Sequence, residues 1–390
     1  MPDGPLSNMS SQSFYEPVQY LSTDSEQKGP EAGLALCLSG GGYRAMLFHL
    51  GSIWRLFETG LLRRVDRISS VSGGSITAGV LGLAWPKLFR DDTLGQDRFN
   101  EHVVTPIRSL ADKTIDVAAI VWGLLLPGTI SGRIQAAYTK YLFGDATLQD
   151  LPDNPRFVIN ATNVQSGVLW RFSKPYMRDY QVGEVVKPTV PLALAVAASS
   201  AFPPVLSPLV MELNPGDFTP GSGEELQREP FTRRVVLTDG GVYDNLGLET
   251  AWKRYETILV SDAGGQIDSE ERPKRDWPRH SYRVLNVIDN QVRSLRKRLL
   301  IESYRSGIRK GAYWGIRTNI TDYKVEDPLP CPHENTLRLA TTPTRLKRVP
   351  HELQEKLVNW GYAVCDAALR QHVDSTLLKP TGFPYTSAGV

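Results

Sequence analysis

The sequence predicts an α/β fold built on a mostly parallel sheet, and two segments carry this prediction. Residues 34–38 form a short apolar run with the length of a buried strand, and residues 67–71 form a second strand candidate. Each segment ends in a glycine-containing turn, and apolar residues at helical spacing follow each turn. Strand, glycine turn and helix therefore occur twice in succession, which is the order typical of parallel α/β sheets.

The remaining elements follow from the same patterns. The first helix is predicted over residues 44–58, with Gly60 as its C-terminal glycine, and the second helix over residues 76–85. Residues 214–229, which are rich in glycine, proline and acidic residues, are predicted to form an exposed loop. Further strands are predicted at 157–160, 168–172, 235–238 and 257–261, and further helices at 192–198, 291–310 and 352–372.

The domain organisation is predicted from the absence of a convincing linker. Residues 1–31 are polar and lack apolar periodicity, so we expect a flexible arm there. We expect residues 32–390 to form one elaborated domain, with a C-terminal helical extension over 280–390.

Composition excludes several classes of protein. The chain is 41% apolar and 22% charged, and its formal net charge of +2 does not indicate a nucleic acid polymer as a partner. Cys37, Cys331 and Cys365 have no paired short spacing, which disfavours a disulfide framework and a zinc site and fits a reducing compartment. The first thirty residues lack the apolar region of a secretory signal, and no apolar stretch is long enough to span a bilayer. We therefore expect a cytoplasmic protein, either free or peripheral at a membrane surface.

The first glycine turn contains Gly40, Gly41 and Gly42, followed closely by Arg44. Consecutive glycines allow several backbone N–H groups to converge on one oxygen atom, and the start of a helix favours negative charge. The turn is compatible with an oxyanion hole, with a phosphate cradle, or with a tight turn that has no chemical role. A Walker-type phosphate loop is disfavoured because no Gly-Lys-Ser/Thr sequence follows.

Two further strand ends carry groups that could react. Ser72 lies in the turn Ser70-Val71-Ser72-Gly73-Gly74, which approximates the Gly-x-Ser-x-Gly nucleophile elbow but has serine at its first position. Asp239 begins an Asp-Gly-Gly turn at the end of a predicted strand, where open α/β sheets place their ligands. An Asp-Gly turn alone is an ordinary turn, but three glycine-marked strand ends together indicate a site.

Together these motifs resemble those of the patatin-like phospholipases. The shared order is Gly-Gly-Gly-x-Arg, the serine elbow and Asp-Gly-Gly, and residues 198–204 are similar to the Ala-Ser-x-Ala-x-Pro segment of that family. The resemblance covers about residues 34–248. It implies a three-layer α/β/α fold around a mostly parallel sheet.

The resemblance also implies a Ser-Asp catalytic dyad. Ser72 would be the nucleophile and Asp239 the general base, and Gly40, Gly41 and Gly42, with Arg44 nearby, would form the oxyanion hole. An aspartate with an ordinary pKa of about 3.9 is a poor base for a serine hydroxyl, so burial and a direct hydrogen bond must raise the proton affinity of Asp239. Such a mechanism proceeds through an acyl-enzyme and needs neither a metal nor another cofactor.

A histidine would be needed only if the site were a triad. His49 is closest in sequence to the glycine turn, but it lies among Phe48, Leu50 and Gly51 on the predicted helix. We expect it to be a packed, hydrogen-bonded histidine and not the base.

Two segments suggest contact with lipid. Residues 115–130 are strongly apolar, with Trp122 beside Leu124, Leu125 and Leu126, and fit an interfacial patch, a lid or a core helix. Residues 291–310 contain seven Lys or Arg and one Glu, and fit either a surface on anionic head groups or a solvated helix face.

The predicted function is a serine-dependent lipid acyl hydrolase of the phospholipase A or lysophospholipase type, acting on phospholipids or other acyl esters. A thioesterase or an acyltransferase would use the same dyad. A non-catalytic module that binds lipid or nucleotide is the alternative outside the enzymes, and the intact Ser72 and Asp239 weigh against it. The resembling family also includes effectors activated by cyclic nucleotides, and no motif here indicates such a nucleotide activator.

Overall fold

The computed structural model describes residues 30–91, 95–115, 130–267 and 269–390, and these form a ten-stranded mixed sheet with helices on both faces. The strands are β1 Glu31–Leu38, β2 Arg67–Val71, β3 Arg156–Asn163, β4 Val168–Phe172, β5 Tyr176–Asp179, β6 Gly183–Val186, β7 Leu209–Glu212, β8 Arg234–Asp239, β9 Tyr255–Asp262 and β10 Lys310–Gly315. The α-helices are α1 Gly42–Glu58, α2 Gly73–Leu88, α3 Gln96–Phe99, α4 Thr105–Ala111, α5 Ile130–Tyr138, α6 Leu192–Ser199, α7 Gly241–Asp244, α8 Glu249–Trp252, α9 Trp277–Arg305, α10 His333–Ala340 and α11 His351–His372. Asn100–Val104 and Thr139–Phe143 are π-helical.

The sheet has a parallel part and an antiparallel part. The strands β10, β9, β1, β2 and β3 are neighbours in that order, and each pair is parallel. β4, β5 and β6 continue the sheet in antiparallel pairs, and β8 pairs antiparallel with both β3 and β7. This arrangement confirms the predicted α/β class, with a mixed sheet.

The layers follow from the alternation of side chains along β1. Leu36 and Leu38 belong to the large apolar cluster that includes the buried faces of α1, α2 and α11. Ala35 and Cys37 point to the other face of the sheet, where they join a smaller cluster with α8 and with Leu300 of α9. Helices therefore cover both faces, and the predicted three-layer α/β/α architecture is confirmed.

The C-terminal helix belongs to the same core as the first helix. Arg55 of α1 donates from Nε to Oδ1 of Asp366 on α11 at 2.8 Å, and Arg370 donates to Oδ2 of the same carboxylate at 2.9 Å. The side chains of Arg55 and Asp366 are 6% and 1% exposed. A buried ion pair with both carboxylate oxygens occupied fixes α11 against α1, which carries the glycine turn at its start.

Several predicted boundaries differ from the observed ones. β1 begins at Glu31, whose N–H donates to the Arg254 carbonyl at 2.7 Å, three residues before the predicted start. The helix predicted over 291–310 is helical only to Arg305, and α9 begins earlier, at Trp277. It ends at Arg305 because Gly307 adopts a left-handed φ of 72° and Lys310 starts β10. The strands β5, β6, β7 and β10 were not predicted. Gly60, with φ of 74°, follows α1 as expected.

Two of the sequence predictions concern residues that lie largely outside the described ranges. The polar arm and the apolar segment 116–129 lie outside the described residues. Within the described ranges, no helix combines the length and the apolar character needed to cross a bilayer.

Candidate active site

Strands β2 and β8 meet end to end along one edge of β3. Val71, the last residue of β2, pairs with Asn160, and Asp239, the last residue of β8, pairs with the adjacent Ala161. Because β2 is parallel to β3 and β8 is antiparallel to it, the carboxyl ends of the two strands face each other. The sheet therefore brings Ser72 and Asp239 together. The chain enters the site along β8 in the direction opposite to that of β2.

Ser72 occupies a strained turn between β2 and α2. Its φ is 51° and its ψ is −119°, and α2 begins at the next residue. A non-glycine residue with positive φ costs about 1–3 kcal/mol, and such residues are concentrated at functional sites. The two glycine turns also touch, because a Cβ atom on Gly73 would lie 2.1 Å from the carbonyl oxygen of Gly42. The predicted serine elbow is thus a sharp strand-to-helix turn packed against the first glycine turn.

Asp239 is a buried carboxyl with one oxygen unoccupied. Oδ1 accepts the Gly241 N–H at 2.7 Å, and Oδ2 is buried without a hydrogen-bond partner among the described residues. Burial raises the pKa of Asp239 to about 7, against the lowering effects of the Gly241 N–H and the Ser72 hydroxyl, while Asp289 raises it further. The Ser72 hydroxyl is thus close enough to influence Asp239 but forms no hydrogen bond with it within 3.5 Å. Catalytic hydrogen bonds often shorten to full strength only when the substrate binds.

Ser199 connects the serine turn to the rest of the site. Its hydroxyl accepts the backbone N–H of Ser72 at 2.9 Å and donates to the Asn160 carbonyl at 2.6 Å. The Asp239 N–H donates to the carbonyl of Ala201, two residues further on. The segment similar to the family's Ala-Ser-x-Ala-x-Pro motif therefore holds both members of the predicted dyad.

The three glycines of the first turn contribute unequally. The Gly40 N–H donates to the Asn245 carbonyl at 3.0 Å, so it is not available as an oxyanion donor, contrary to the expectation from sequence. Gly40 instead provides space, because a Cβ atom there would lie 2.3 Å from Oδ1 of Asn245 and 3.2 Å from Cβ of Ser72. Gly41 and Gly42 have φ of 142° and 56°, and in the described structure their N–H groups have no protein acceptor. These two amides lie at the N-terminus of α1, where the helix dipole favours negative charge.

Arg44 does not line the cavity at Ser72. Its guanidinium is buried and donates to the carbonyls of Ala263, Ala340 and Thr342, each at 2.8 Å. Burial lowers its pKa to about 10, so it remains protonated at neutral pH. The geometry therefore supports a role in holding the backbone behind the glycine turn, because all of these contacts go to carbonyls and none goes to the reacting groups.

Ser72 and Asp239 open into a cavity of about 500 Å³. The apolar part of the lining includes Phe202, Val205, Leu206, Ile267 and Leu346. α9 contributes a polar part, with Tyr282, Asn286, Asp289, Asn290 and Arg293. A cavity with this mixed lining can accommodate an apolar chain together with a polar group.

His49 is packed and hydrogen-bonded, as predicted. It is fully buried, its Nε2 lies 2.9 Å from the Ser39 carbonyl, and its Nδ1 lies 2.8 Å from the Ser261 hydroxyl. Because a carbonyl can only accept, Nε2 carries the proton and Nδ1 accepts from Ser261. Burial lowers the pKa of His49 to about 4, so the ring is neutral.

Sequence reasoning missed three residues that shape the site. Asn245 fixes the Gly40 amide, Ser199 fixes the Ser72 amide, and Asp289 faces the cavity from α9. Ser199 lay within the motif that carried the resemblance, and the Asp-Asn pair that ends with Asn245 closely follows Asp-Gly-Gly. No local signal marks Asp289, because only the tertiary fold places α9 over the cavity.

Comparison with solved structures finds the same fold, at low sequence identity, in a human phospholipase A2. Human GIVD cytosolic phospholipase A2, solved in complex with methyl γ-linolenyl fluorophosphonate and terbium chloride, matches with a TM-score of 0.51 and 15% identity over 86% of this chain and 57% of that chain. VipD from Legionella pneumophila matches with a TM-score of 0.31 and 15% identity over 80% of this chain and 67% of that chain. The chain spans about half the length of the human phospholipase A2 structures.

Sequence comparison gives the family assignment. No curated protein matches the chain in sequence. The family model described as patatin-like phospholipase matches residues 36–252, which is more than half of the chain and includes both strand-end residues, Ser72 and Asp239. The chain therefore belongs to the patatin-like phospholipase family.

Proposed function

We propose that this protein releases fatty acid from glycerophospholipids, as a phospholipase A or lysophospholipase, through an acyl-enzyme on Ser72. The observation that carries the proposal is the meeting of β2 and β8, which sets Ser72 in a strained turn beside the buried carboxyl of Asp239. Its pKa of about 7 suits a general base near neutral pH, because proton transfer is most effective when the base has a pKa near the working pH.

The proposed reaction begins with Asp239 in its ionised form. Oδ2 accepts the proton of Ser72 while the serine oxygen attacks the ester carbonyl, and the N–H groups of Gly41 and Gly42 stabilise the resulting oxyanion. The loss of one such donor typically costs about 10²–10³-fold in kcat. Asp239 then gives the proton to the leaving alcohol, and it activates the water that hydrolyses the acyl-enzyme.

The walls of the cavity support an acyl substrate. Phe202, Val205, Leu206, Ile267 and Leu346 provide an apolar surface beside Ser72, where an acyl chain would leave water. The human phospholipase A2 that shares this fold was solved in complex with a fluorophosphonate that carries a linolenyl chain. We propose that this protein accepts substrates with the same class of acyl chain.

The outer face of α9 supports action at a membrane surface. Trp277, Leu285, Ile288, Leu295 and Leu299 are 80%, 56%, 53%, 57% and 53% exposed. Their spacing places them on one face of the helix, away from Asn290 and Arg293, which line the cavity. Positively charged residues on the same helix would attract anionic head groups. We infer that α9 lies at the lipid surface and brings the cavity to its substrate.

We place this activity at the cytoplasmic face of a membrane. Cys37, Cys331 and Cys365 are all buried as free thiols, which is typical of a reducing compartment. Residues 1–27 of the polar arm are proposed to be dispensable for hydrolysis because they contain no residue of the proposed mechanism.

The decisive experiment compares purified wild-type protein with Ser72→Ala on a mixed lipid extract, with products identified by mass spectrometry. We expect wild-type protein to release free fatty acid and a lysophospholipid, and Ser72→Ala to release neither. Transfer of the acyl group to another lipid would identify an acyltransferase. Hydrolysis of acyl thioesters with no action on phospholipids would identify a thioesterase, and either result would contradict the proposal.

A further inference from the structure

A second cavity, of about 740 Å³, adjoins the one that contains Ser72. The two cavities share Gln266, Asn290 and Arg293 as lining residues. A ligand held in the second cavity would therefore lie next to a substrate in the first. The mechanism proposed above uses none of the residues that line only the second cavity.

The second cavity is lined by four cations that form no close ion pair with a described residue. Arg293, Lys297, Arg305 and Arg317 have no hydrogen bond and no carboxylate within 4 Å among the described residues, although the Lys297 ammonium lies 4.4 Å from the centre of the Tyr313 ring. The Nε of Arg317 is buried and has no hydrogen-bond partner. By contrast, the buried arginines Arg55 and Arg309 donate to a carboxylate and to a carbonyl, respectively.

The carboxylates in the same cavity offset only part of this charge. Against the effect of burial, Arg293 and Lys297 hold the pKa of Asp262 below its ordinary value, so this carboxylate is ionised. Asp262 accepts the Tyr313 hydroxyl and the Gly264 N–H, each at 2.8 Å, and Asp322 is exposed. Among the described lining residues, four cations therefore share the space with two carboxylates, one of which is already hydrogen-bonded. Bringing like charges together is unfavourable unless an anion lies between them, and a concave site concentrates the resulting field.

Neutral donors complete the lining. Thr318, Asn319 and Ser294 line the cavity, and His333 presents a buried Nδ1 that has no hydrogen-bond partner in the described structure. Several arginines combined with hydroxyl and amide donors form the set of groups that binds phosphate oxygens, since guanidinium pairs with phosphate through parallel hydrogen bonds. A carboxylate ligand would use fewer of these donors.

We infer that the second cavity binds a phosphate-bearing anion through Arg293, Arg305 and Arg317. Two sources have this chemistry: the head group of a phospholipid whose ester lies at Ser72, and a free phosphate compound that regulates the enzyme. The first source rests on the proposed function, whereas binding of the anion itself does not. In both cases the phosphate lies beside α9 and close to the catalytic cavity.

The binding test uses inorganic pyrophosphate as the probe and the Ser72→Ala protein as the parent, so that hydrolysis plays no part. Titration calorimetry at constant ionic strength is expected to show one site per chain. Arg317→Gln and Arg305→Gln should each raise Kd by about tenfold, because each removes a charge-assisted hydrogen bond. Arg298→Gln is the matched control, since Arg298 is exposed on the same helix and does not line the cavity. Arg305 is also exposed, so its replacement should leave the circular dichroism spectrum unchanged.

Absence of pyrophosphate binding by the parent would overturn the inference. Equal Kd values in all variants would do the same, because they would indicate non-specific attraction.

A kinetic test distinguishes the two sources. If the anion is a lipid head group, Arg317→Gln should raise KM for phosphatidylglycerol in mixed micelles by about tenfold, and pyrophosphate should compete with that substrate. If it is a free effector, pyrophosphate should change kcat for a neutral soluble ester, and KM for the phospholipid should not depend on Arg317. A protein that binds pyrophosphate through Arg317 but shows no Ser72-dependent hydrolysis would contradict the proposed function and support the phosphate site.

Discussion

The hydroxyl of Ser199 accepts the backbone N–H of Ser72 at 2.9 Å and donates to the Asn160 carbonyl at 2.6 Å, so one buried side chain links the serine turn to β3. Ser72 has the backbone conformation of a strained residue, with φ of 51°, and such a conformation persists only where the surroundings hold it in place. Ser199 provides one of those constraints. Its effect on catalysis would therefore be indirect, through the position of the serine oxygen.

Ser199→Ala is expected to lower kcat by about tenfold, with little change in KM, since about 1.4 kcal/mol of transition-state stabilisation corresponds to a factor of ten. The change leaves a buried N–H without its acceptor but removes no reacting group. Steady-state kinetics on a soluble ester measure the effect. Ser303→Ala is the control, because Ser303 is also buried and donates a single hydrogen bond, to the Leu300 carbonyl. Equal kinetic losses in the two variants would contradict a specific role for Ser199.

The pH profile of hydrolysis should report the ionisation of Asp239. Burial raises its pKa to about 7, and only the ionised form can accept the serine proton. With a neutral ester as substrate, kcat/KM should rise about tenfold per pH unit below neutrality and level off above it. Asp289 raises the pKa of Asp239, so Asp289→Asn should move the inflection to lower pH. An inflection near pH 4 in the wild-type protein would show that Asp239 is not the base.

The same pKa predicts a conflict between stability and activity. The folded-state pKa of Asp239 lies above the ordinary value of 3.8, so the native state binds the extra proton between these two values. The stability linked to this proton is fully present below about pH 4 and is lost as pH rises through about 7. Asn does not titrate, so the melting temperature of Asp239→Asn should rise relative to that of the wild-type protein as pH increases from 5 to 8. The same change should lower kcat by about 10²–10⁴-fold. A difference in melting temperature that is independent of pH would contradict the raised pKa.

His49→Gln tests whether the site needs a histidine. His49 is neutral and is hydrogen-bonded to the Ser39 carbonyl and to the Ser261 hydroxyl, so its loss should lower stability by about 1–3 kcal/mol. We expect the folded variant to keep a substantial share of its kcat, unlike Ser72→Ala. Folding is checked by circular dichroism before the assay. A folded His49→Gln protein as inactive as Ser72→Ala would show that the dyad assignment is wrong.

Local sequence patterns predicted the elements that carry the proposed dyad but not how those elements meet. Ser72 and Asp239 stood out because glycines follow a strand in each case, and that signal is local. The antiparallel direction of β8 was not visible, because strand direction depends on pairing with β3 and on the path between the two strands.

The wrong predictions for Gly40 and Arg44 also arose because long-range contacts are not visible in local sequence. Gly40, Gly41 and Gly42 are alike in sequence, but only Gly40 donates its N–H to Asn245, a contact made across more than two hundred residues of chain. The position of Arg44 among three carbonyls also depends on segments far along the chain. Sequence identifies which residues can act in such a turn, whereas long-range contacts decide which groups remain available.

Contact with a lipid surface is predicted to depend on the outer face of α9. Leu285 and Ile288 are more than half exposed, and the transfer of such side chains into an interface contributes up to about 1.5–3 kcal/mol each. Leu285→Ser with Ile288→Ser should therefore weaken binding to phosphatidylglycerol vesicles by roughly tenfold or more, and binding should also weaken as salt shortens the Debye length to below about 8 Å. Vesicle co-sedimentation measures both effects.

The controls for this last prediction separate lipid contact from folding and from association. Val164→Ser with Val186→Ser removes two side chains of similar exposure, 56% and 51%, the first in the turn that follows β3 and the second at the end of β6, and should leave vesicle binding unchanged. Hydrolysis of a soluble short-chain ester should be the same in both double variants, because neither change touches Ser72 or Asp239. If the wild-type protein is a dimer that the α9 double variant dissociates, and vesicles bind neither protein, then this face joins two copies of the chain and the membrane proposal is wrong.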